Sequence, residues 1–213
     1  GGVDGILIKG TSGSQTGFSV SGAGDVNGDG FDDLILSALT YKASAPSRTN
    51  AGMAVIIFGM ATNWTDIDLL TFTAESGLGF RLFGKDSFEL GSYVSGAGDV
   101  NGDGYADVII GARAGEPPGR TNAGSAYVLL GHSNATSFPD IDLYSYTFNT
   151  TTGFEIWGAV AEDRVGTTVT GNFDLNDDGY SDVAVGSSAI GRAYIIFGHS
   201  SDTPFSTIDL LGL

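Results

Sequence analysis

Fifteen residues at 24–38, GDVNGDGFDDLILSA, return as GDVNGDGYADVIIGA at 98–112 and, loosened, as GNFDLNDDGYSDVAVGS at 171–187. Their first aspartates, Asp25, Asp99 and Asp174, stand 74 and 75 residues apart, so the chain is three copies of one unit. Each copy is preceded by a short alternating run (GFSVSGAG, GSYVSGAG, GTTVTGNF). Two more strand-like runs follow it: DLILSA, DVIIGA or DVAVGS, then AGMAVIIFG, AGSAYVLLG or GRAYIIFG. A fourth element, GFRLFG at 79–84 and GFEIWG at 153–158, falls before the second and third copies. Four short strands per repeat, with almost no helical periodicity, predict an all-β fold of β-propeller blades, three four-stranded blades per chain.

The predicted blade repeats run over about 11–84, 85–158 and 159–213 of a single propeller segment, 1–213. The third copy lacks its fourth element and ends in TIDLLGL, whereas a surplus one, GILIKG at 5–10, precedes the first copy. That surplus strand could supply the missing fourth strand of the last blade and remove two sheet edges at once. Three blades are fewer than the roughly four to eight that propellers use. The expectation is therefore a homodimer closed as a six-bladed ring, with a segment of a longer repeat array as the alternative.

Charge narrows the partners. With 25 acidic residues against 9 basic ones, the net charge of −16 argues against a nucleic-acid backbone or an anionic membrane surface. No apolar run approaches the roughly 18 residues of a membrane span, and the first residues carry neither a basic segment nor a signal-type apolar run, as expected of a mature or excised segment. Cysteine is absent, so thiolate metal sites are excluded.

Read as D-x-N-x-D-G-x-x-D, each copy sets oxygen side chains at loop positions 1, 3, 5 and 9, a glycine at 6 and a backbone carbonyl at 7. Three carboxylates brought within a few ångströms would repel by roughly 4 kcal/mol per pair at an intermediate dielectric. A hard divalent cation taking six to eight oxygens answers that repulsion, and Ca²⁺ fits better than Mg²⁺, which keeps its waters. The candidate ligands are Asp25, Asn27, Asp29, the Phe31 carbonyl and Asp33; Asp99, Asn101, Asp103, the Tyr105 carbonyl and Asp107; and Asp174, Asn176, Asp178, the Tyr180 carbonyl and Asp182. Three ions per chain would bring −16 to −10. A solvated hairpin turn would also use Asn27-Gly28 and Asp29-Gly30, but it does not need aspartate at 1, 5 and 9 three times over. An EF-hand would need a glutamate at position 12, where Leu36, Ile110 and Val185 stand in β-type runs.

These loops, the small pairs after the second strand (Ser37-Ala38, Gly111-Ala112, Gly186-Ser187) and the closing Phe58-Gly59, Leu130-Gly131 and Phe197-Gly198 resemble the FG-GAP repeats of integrin α-subunit β-propellers over essentially the whole chain. The resemblance implies that the calcium loop joins the first two strands of each blade and that partners bind mainly the opposite face. The connections 39–50, 113–122 and 188–190 would lie on that face. The two long ones share RTNAG, at Arg48–Gly52 and Arg120–Gly124, either for recognition or because the arginine anchors its loop to a neighbouring blade. With three repeats instead of seven and no disulfide, the chain is closer to stand-alone secreted propellers than to an integrin chain.

No enzyme is expected. His132 and His199 both follow a third strand in turns, GFRLFGK with Asp86 only mimics a phosphate loop, and no G-x-S-x-G occurs. Acids outside the loops (Glu75, Asp86, Glu89, Glu116, Glu155, Glu162, Asp163) show no spacing that pairs them, and Asp86 and Asp163 recur at one place, as a structural turn would. The expected function is a calcium-stabilised, extracellular or secreted (or periplasmic) binding and adhesion module for a protein or glycan ligand. The alternatives are a carbohydrate-binding lectin and a non-catalytic propeller domain of a larger secreted hydrolase. Trp64, Trp157 and Tyr41 could stack on sugars, although Trp157, in a strand, reads as core. Sequons at Asn63-Trp64-Thr65, Asn134-Ala135-Thr136 and Asn149-Thr150-Thr151 would be glycosylated in a eukaryotic secretory pathway.

Overall fold

The period-two runs of the sequence become three antiparallel sheets. The computed structural model describes residues 4–44, 47–62, 64–85, 87–135 and 137–213. Two short 3-10 turns, Ala74–Ser76 and Leu210–Gly212, are the helical elements among them. The first sheet takes Thr16–Gly24, Asp33–Ala38, Met53–Ile57 and Gly79–Phe83 in sequence order. The second takes Leu90–Gly98, Asp107–Ala112, Ser125–Leu129 and Gly153–Trp157. Registers repeat as the sequence does: Ile35 stands opposite Ile56, itself opposite Phe80, and Ile109, Val128 and Phe154 repeat the series. The third sheet has three strands, Thr168–Phe173, Asp182–Ser187 and Arg192–Ile196.

The expectation of four strands per repeat passed over a fifth. Each I-D-L triplet pairs in parallel with the outer strand of the preceding sheet: Ile141 beside Leu82, and Ile208 beside Ile156. Ile67–Asp68 does the same with Ile8–Lys9. Within the chain, then, residues 5–10 lie beside the first sheet, in the place of a fourth strand belonging to a sheet before it. The two-residue length of these clasps explains why periodicity missed them, since alternation needs about four residues to show.

Apolar faces between the sheets form the core. Ile35, Ile56 and Phe80 of the first sheet meet Val94, Val108 and Ile110 of the second. Ile109, Val128 and Phe154 on the other side of the second sheet meet Val169, Val183 and Val185 of the third. The outer face of the first sheet, with Leu36, Val55 and Ile57, is covered by Ile67, Leu69 and Phe72 together with Ile6 and Ile8. Full burial of such side chains is worth roughly 1.5–3 kcal/mol each.

Arginines add a second stitch. Arg48 of the first RTNAG loop donates to both carboxylate oxygens of Asp142 at 2.7 Å and to the Gly84 carbonyl. Arg120 makes the same fork with Asp209 at 2.7 Å and reaches the Gly158 carbonyl. Both arginines anchor their loops to the clasp of the next repeat, the structural one of the two roles the shared sequence allowed.

The glycine ending each RTNAG is required by close approach. Gly52 and Gly124 have φ of 75° and 78° and form isolated bridges with Leu90 and Val165. A Cβ on Gly124 would stand 2.1 Å from the Val165 carbonyl oxygen. Gly124→Ala is accordingly expected to cost more than about 3 kcal/mol, read as a fall in the urea midpoint. Gly77→Ala, also at positive φ (72°) but with open space around it, should cost only about 1 kcal/mol.

Candidate metal loops and their surroundings

Each D-x-N-x-D-G-x-x-D segment joins the first two strands of its sheet, and the same wiring forms all three loops. Asp25 accepts from the backbone N–H groups of Asp29 (3.0 Å) and Gly30 (2.9 Å), and Asp29 from that of Phe31 (2.9 Å). Asp99 and Asp103 repeat this with Asp103, Gly104 and Tyr105, and Asp174 and Asp178 with Asp178, Gly179 and Tyr180, all between 2.8 and 3.1 Å. The amides of Asn27, Asn101 and Asn176 donate to Asp29, Asp103 and Asp178. The carboxylates thus shape the loop, as Asx-type acceptors do.

The ninth-position aspartates are struts as well as candidate ligands. Asp33 accepts from Val26 (2.9 Å) and Gly59 (2.8 Å), Asp107 from Val100 and Gly131 (both 2.8 Å), and Asp182 from Leu175 (2.7 Å) and Gly198 (2.9 Å). Each fastens its loop to the end of the third strand. All three are buried. Burial, with the charges of Asp29 and Asp25 adding to it, pushes the Asp33 carboxyl up to about 6 against the opposing pull of the two N–H donors. Burial likewise raises Asp107 well above the ordinary range, with Asp103 and Asp99 adding to it.

Among the described residues, no three Asp, Glu or His side chains stand close enough together to hold a metal ion. The donor chemistry nonetheless fits a hard cation. Each loop offers only oxygen, and two buried carboxyls whose charged forms are disfavoured would be relieved by a positive charge beside them. Asp25, Asn27, Asp29, the Phe31 carbonyl and Asp33, with their equivalents, are the residues that would hold it.

Two features around the loops escaped the sequence reading. The first concerns the histidines. His132 and Asn134 donate backbone N–H groups to the Val26 and Asn27 carbonyls of the first loop, and His199 and Ser201 do the same to Val100 and Asn101 of the second. The rings stack on Phe138 (3.7 Å between centroids) and Phe205 (3.9 Å), which fixes these turns. The repeated G-H-S was the visible signal. The first two loops are thus each capped by the following repeat, and the Leu175 and Asn176 carbonyls of the third loop have no such donor among the described residues. In a single, monomeric chain, amide exchange over 174–182 should therefore outpace that over 25–33 and 99–107; equal protection of all three loops in the monomer would contradict the capping role.

The second feature is aromatic. The ring of Tyr105 lies over Gly28, where a Cβ would come within 2.4 Å of it, and Tyr180 lies in the same way over Gly102. Asp177 takes that glycine's place in the third loop, with φ of 58°.

The remaining candidates resolve into structural contacts. Glu89 pairs with Arg113 (2.6 Å), Glu162 accepts from Asn122 (3.0 Å), and Asp163 is buried, accepting from Ala159 and Ser187 as a structural turn. Trp157 is half-buried, not core, with its indole N–H on Glu155 (2.7 Å). Trp64 donates to the Met60 carbonyl (3.0 Å), and both Trp64 and Tyr41 pack against the outer core of the first sheet. Asp86, Asn63 and Thr136 lie outside the described residues. Of the three sequons, Asn149-Thr150-Thr151 is therefore described in full, and it is exposed.

Three sheets of one register, stitched by clasps and closed at one end by acidic loops, define a repeat protein of the propeller class. The FG-GAP repeat pattern matches residues 16–57 and 92–129, and the chain is an FG-GAP repeat protein. It is similar to integrin alpha-IIb of Mus musculus (30% identical over 192 residues, 88% of this chain and 16% of that protein). Integrin alpha pat-2 of Caenorhabditis elegans is 30% identical over 86% of this chain and 14% of its own length. Phosphatidylinositol-glycan-specific phospholipase D of Bos taurus is 32% identical over 99 residues, 46% of this chain and 11% of that protein. The chain thus spans about a sixth or less of these relatives. Among the described residues no helix is long and apolar enough to cross a membrane.

Proposed function

We propose that the chain is a calcium-stabilised, extracellular β-propeller module that binds a protein or glycan ligand in adhesion and performs no catalysis of its own. The observation that carries this reading is the threefold repetition of one all-oxygen loop, in two copies of which burial raises the pKa of the ninth-position carboxyl, at Asp33 and Asp107. Each loop would hold one Ca²⁺, three per chain. Weak sites of roughly 10⁻⁴–10⁻³ M suit extracellular calcium, which favours secretion over a calcium-poor compartment. The repeats 11–84, 85–158 and 159–213 would be successive blades of one propeller segment. A homodimer, or further repeats of a longer array, would complete the ring. Similarity to integrin α subunits supports a protein ligand.

The second reading is a non-catalytic propeller domain of a larger secreted hydrolase, which the similarity to a phospholipase D favours. A lectin is the glycan-binding version of either. In a eukaryotic secretory pathway Asn149 would carry a glycan. Calorimetric titration with CaCl₂ tests the metal reading: about three ions per chain are expected, and none after combined Asp29→Ala, Asp103→Ala and Asp178→Ala. A wild-type chain that takes up no heat would overturn it. Binding of the calcium-loaded chain to immobilised glycans against extracellular-matrix proteins then separates the two ligand classes.

A further inference from the structure

Of the nine asparagines in the chain, two are followed by glycine, Asn27-Gly28 and Asn101-Gly102, and both stand at the third position of a candidate metal loop. Glycine leaves the backbone nitrogen behind an asparagine open to its side-chain carboxamide, because no Cβ hinders the approach. In the third loop Asp177 takes the glycine's place behind Asn176. A reactive pair is thus present in two loops and missing from the other.

In the folded chain both carboxamides are held. Asn27 is 3% exposed and Asn101 5%. The Asn27 Oδ1 accepts the Asp29 N–H at 2.9 Å while its Nδ2 donates to the Asp29 carboxylate at 3.0 Å, and Asn101 repeats both bonds with Asp103 at 3.0 and 2.9 Å. The backbone is held as well. The Asn27 and Asn101 carbonyls accept from the N–H groups of Asn134 (2.6 Å) and Ser201 (2.8 Å), and the Gly102 N–H is tied to the Asp99 carboxylate at 2.7 Å. The rings of Tyr105 and Tyr180 lie over Gly28 and Gly102. Closing a ring requires the carboxamide to turn onto the next nitrogen and that nitrogen to give up its proton, so these contacts must part first.

We propose that Asn27 and Asn101 are latent deamidation sites, shut while their loops are folded and converted when the loops open. In the step, the Gly28 nitrogen bonds to the Asn27 Cγ, the carboxamide C–N bond breaks, and ammonia leaves with the proton that the nitrogen gave up. Water then opens the succinimide. Cleavage of the new bond to Cγ gives aspartate, whereas cleavage of the original peptide bond gives isoaspartate, whose backbone runs through Cβ and Cγ. One water enters and one ammonia leaves, and each event adds one negative charge, so that both would take the chain from −16 to −18. Aspartate keeps an oxygen at the third position. Isoaspartate instead inserts a backbone carbon between the first and fifth positions and breaks the spacing that sets the loop. Each of the first two loops therefore keeps a permanent record of the time it has spent open. The inference rests on the dipeptides and their hydrogen bonds, and it goes beyond the calcium reading without depending on it.

Peptide mapping of the full chain by mass spectrometry tests this, in calcium at physiological pH and temperature, folded and in urea, with circular dichroism reporting the state present. An amide that becomes an acid gains about 1 Da, and an isoaspartyl methyltransferase marks the rearranged product. In urea, Asn27 and Asn101 are expected to convert while Asn176 persists. In the folded chain both are expected to convert at least about tenfold more slowly. Asp29→Ala removes the carboxylate that pins the Asn27 amide, and in the folded chain it should speed conversion at Asn27 but not at Asn101. Equal rates folded and in urea, conversion in urea no faster at Asn27 and Asn101 than at Asn176, or an Asp29→Ala chain that protects Asn27 as well as wild type does would each overturn the proposal. A folded chain that takes up no calcium yet keeps both sites shut would sink the metal reading alone and uphold this one.

Discussion

Chelating calcium is expected to lower the melting temperature of the chain by about 10 °C. A site of roughly 10⁻⁴ M in millimolar calcium stabilises the folded state by about 1.4 kcal/mol, and three such sites by roughly 4 kcal/mol. For a chain of this size each kcal/mol moves the midpoint by about 2–4 °C. Melts with and without chelator measure the difference directly. The combined variant Asp29→Ala, Asp103→Ala and Asp178→Ala should melt at one temperature in both conditions. A wild-type midpoint indifferent to chelator would remove calcium from any structural role.

Replacing Arg48 by alanine is expected to destabilise the chain by about 2–3 kcal/mol, because it removes a fork whose arginine is buried, whereas the Asp142 carboxylate is 31% exposed and keeps the Tyr144 N–H. The Arg48 side chain is only 3% exposed. Arg120→Ala breaks the equivalent pair with Asp209, but that carboxylate is 43% exposed and water replaces much of what is lost, so a fall of about 1 kcal/mol is expected. Chemical denaturation of the two variants side by side measures the contrast. Equal losses would mean that the fork contributes through its geometry alone, independent of burial.

The parts of this fold legible in the sequence were those written in long periods. Strands of five or more residues, such as Met53–Ile57 and Ser125–Leu129, announced themselves by apolar runs between glycines. The loops announced themselves by carboxylate spacing. The clasps did not, because two residues hold no period, even though I-D-L occurs at Ile67, Ile141 and Ile208. Nor did the work of Asp33, Asp107 and Asp182: spacing marks them as ligands, whereas their bonds to Gly59, Gly131 and Gly198 depend on a strand end 26, 24 and 16 residues away. Trp157 was misplaced because a strand residue at a sheet margin can leave one edge of a large ring in water while its indole N–H finds a carboxylate.

The clasps also set the order in which the protein can be finished as it is made. Phe83 closes the fourth strand of the first sheet, but its parallel neighbour, Asp142, is synthesised 59 residues later. At about 5–20 residues per second, a ribosome delivers that neighbour roughly 3–12 s after the sheet it completes. During that interval the first sheet has its hairpins but lacks its outermost strand, and Arg48 has no Asp142 to meet. Each nascent sheet thus waits with an exposed edge for the one behind it, and a translational pause after residue 84 would prolong the state most open to mispairing.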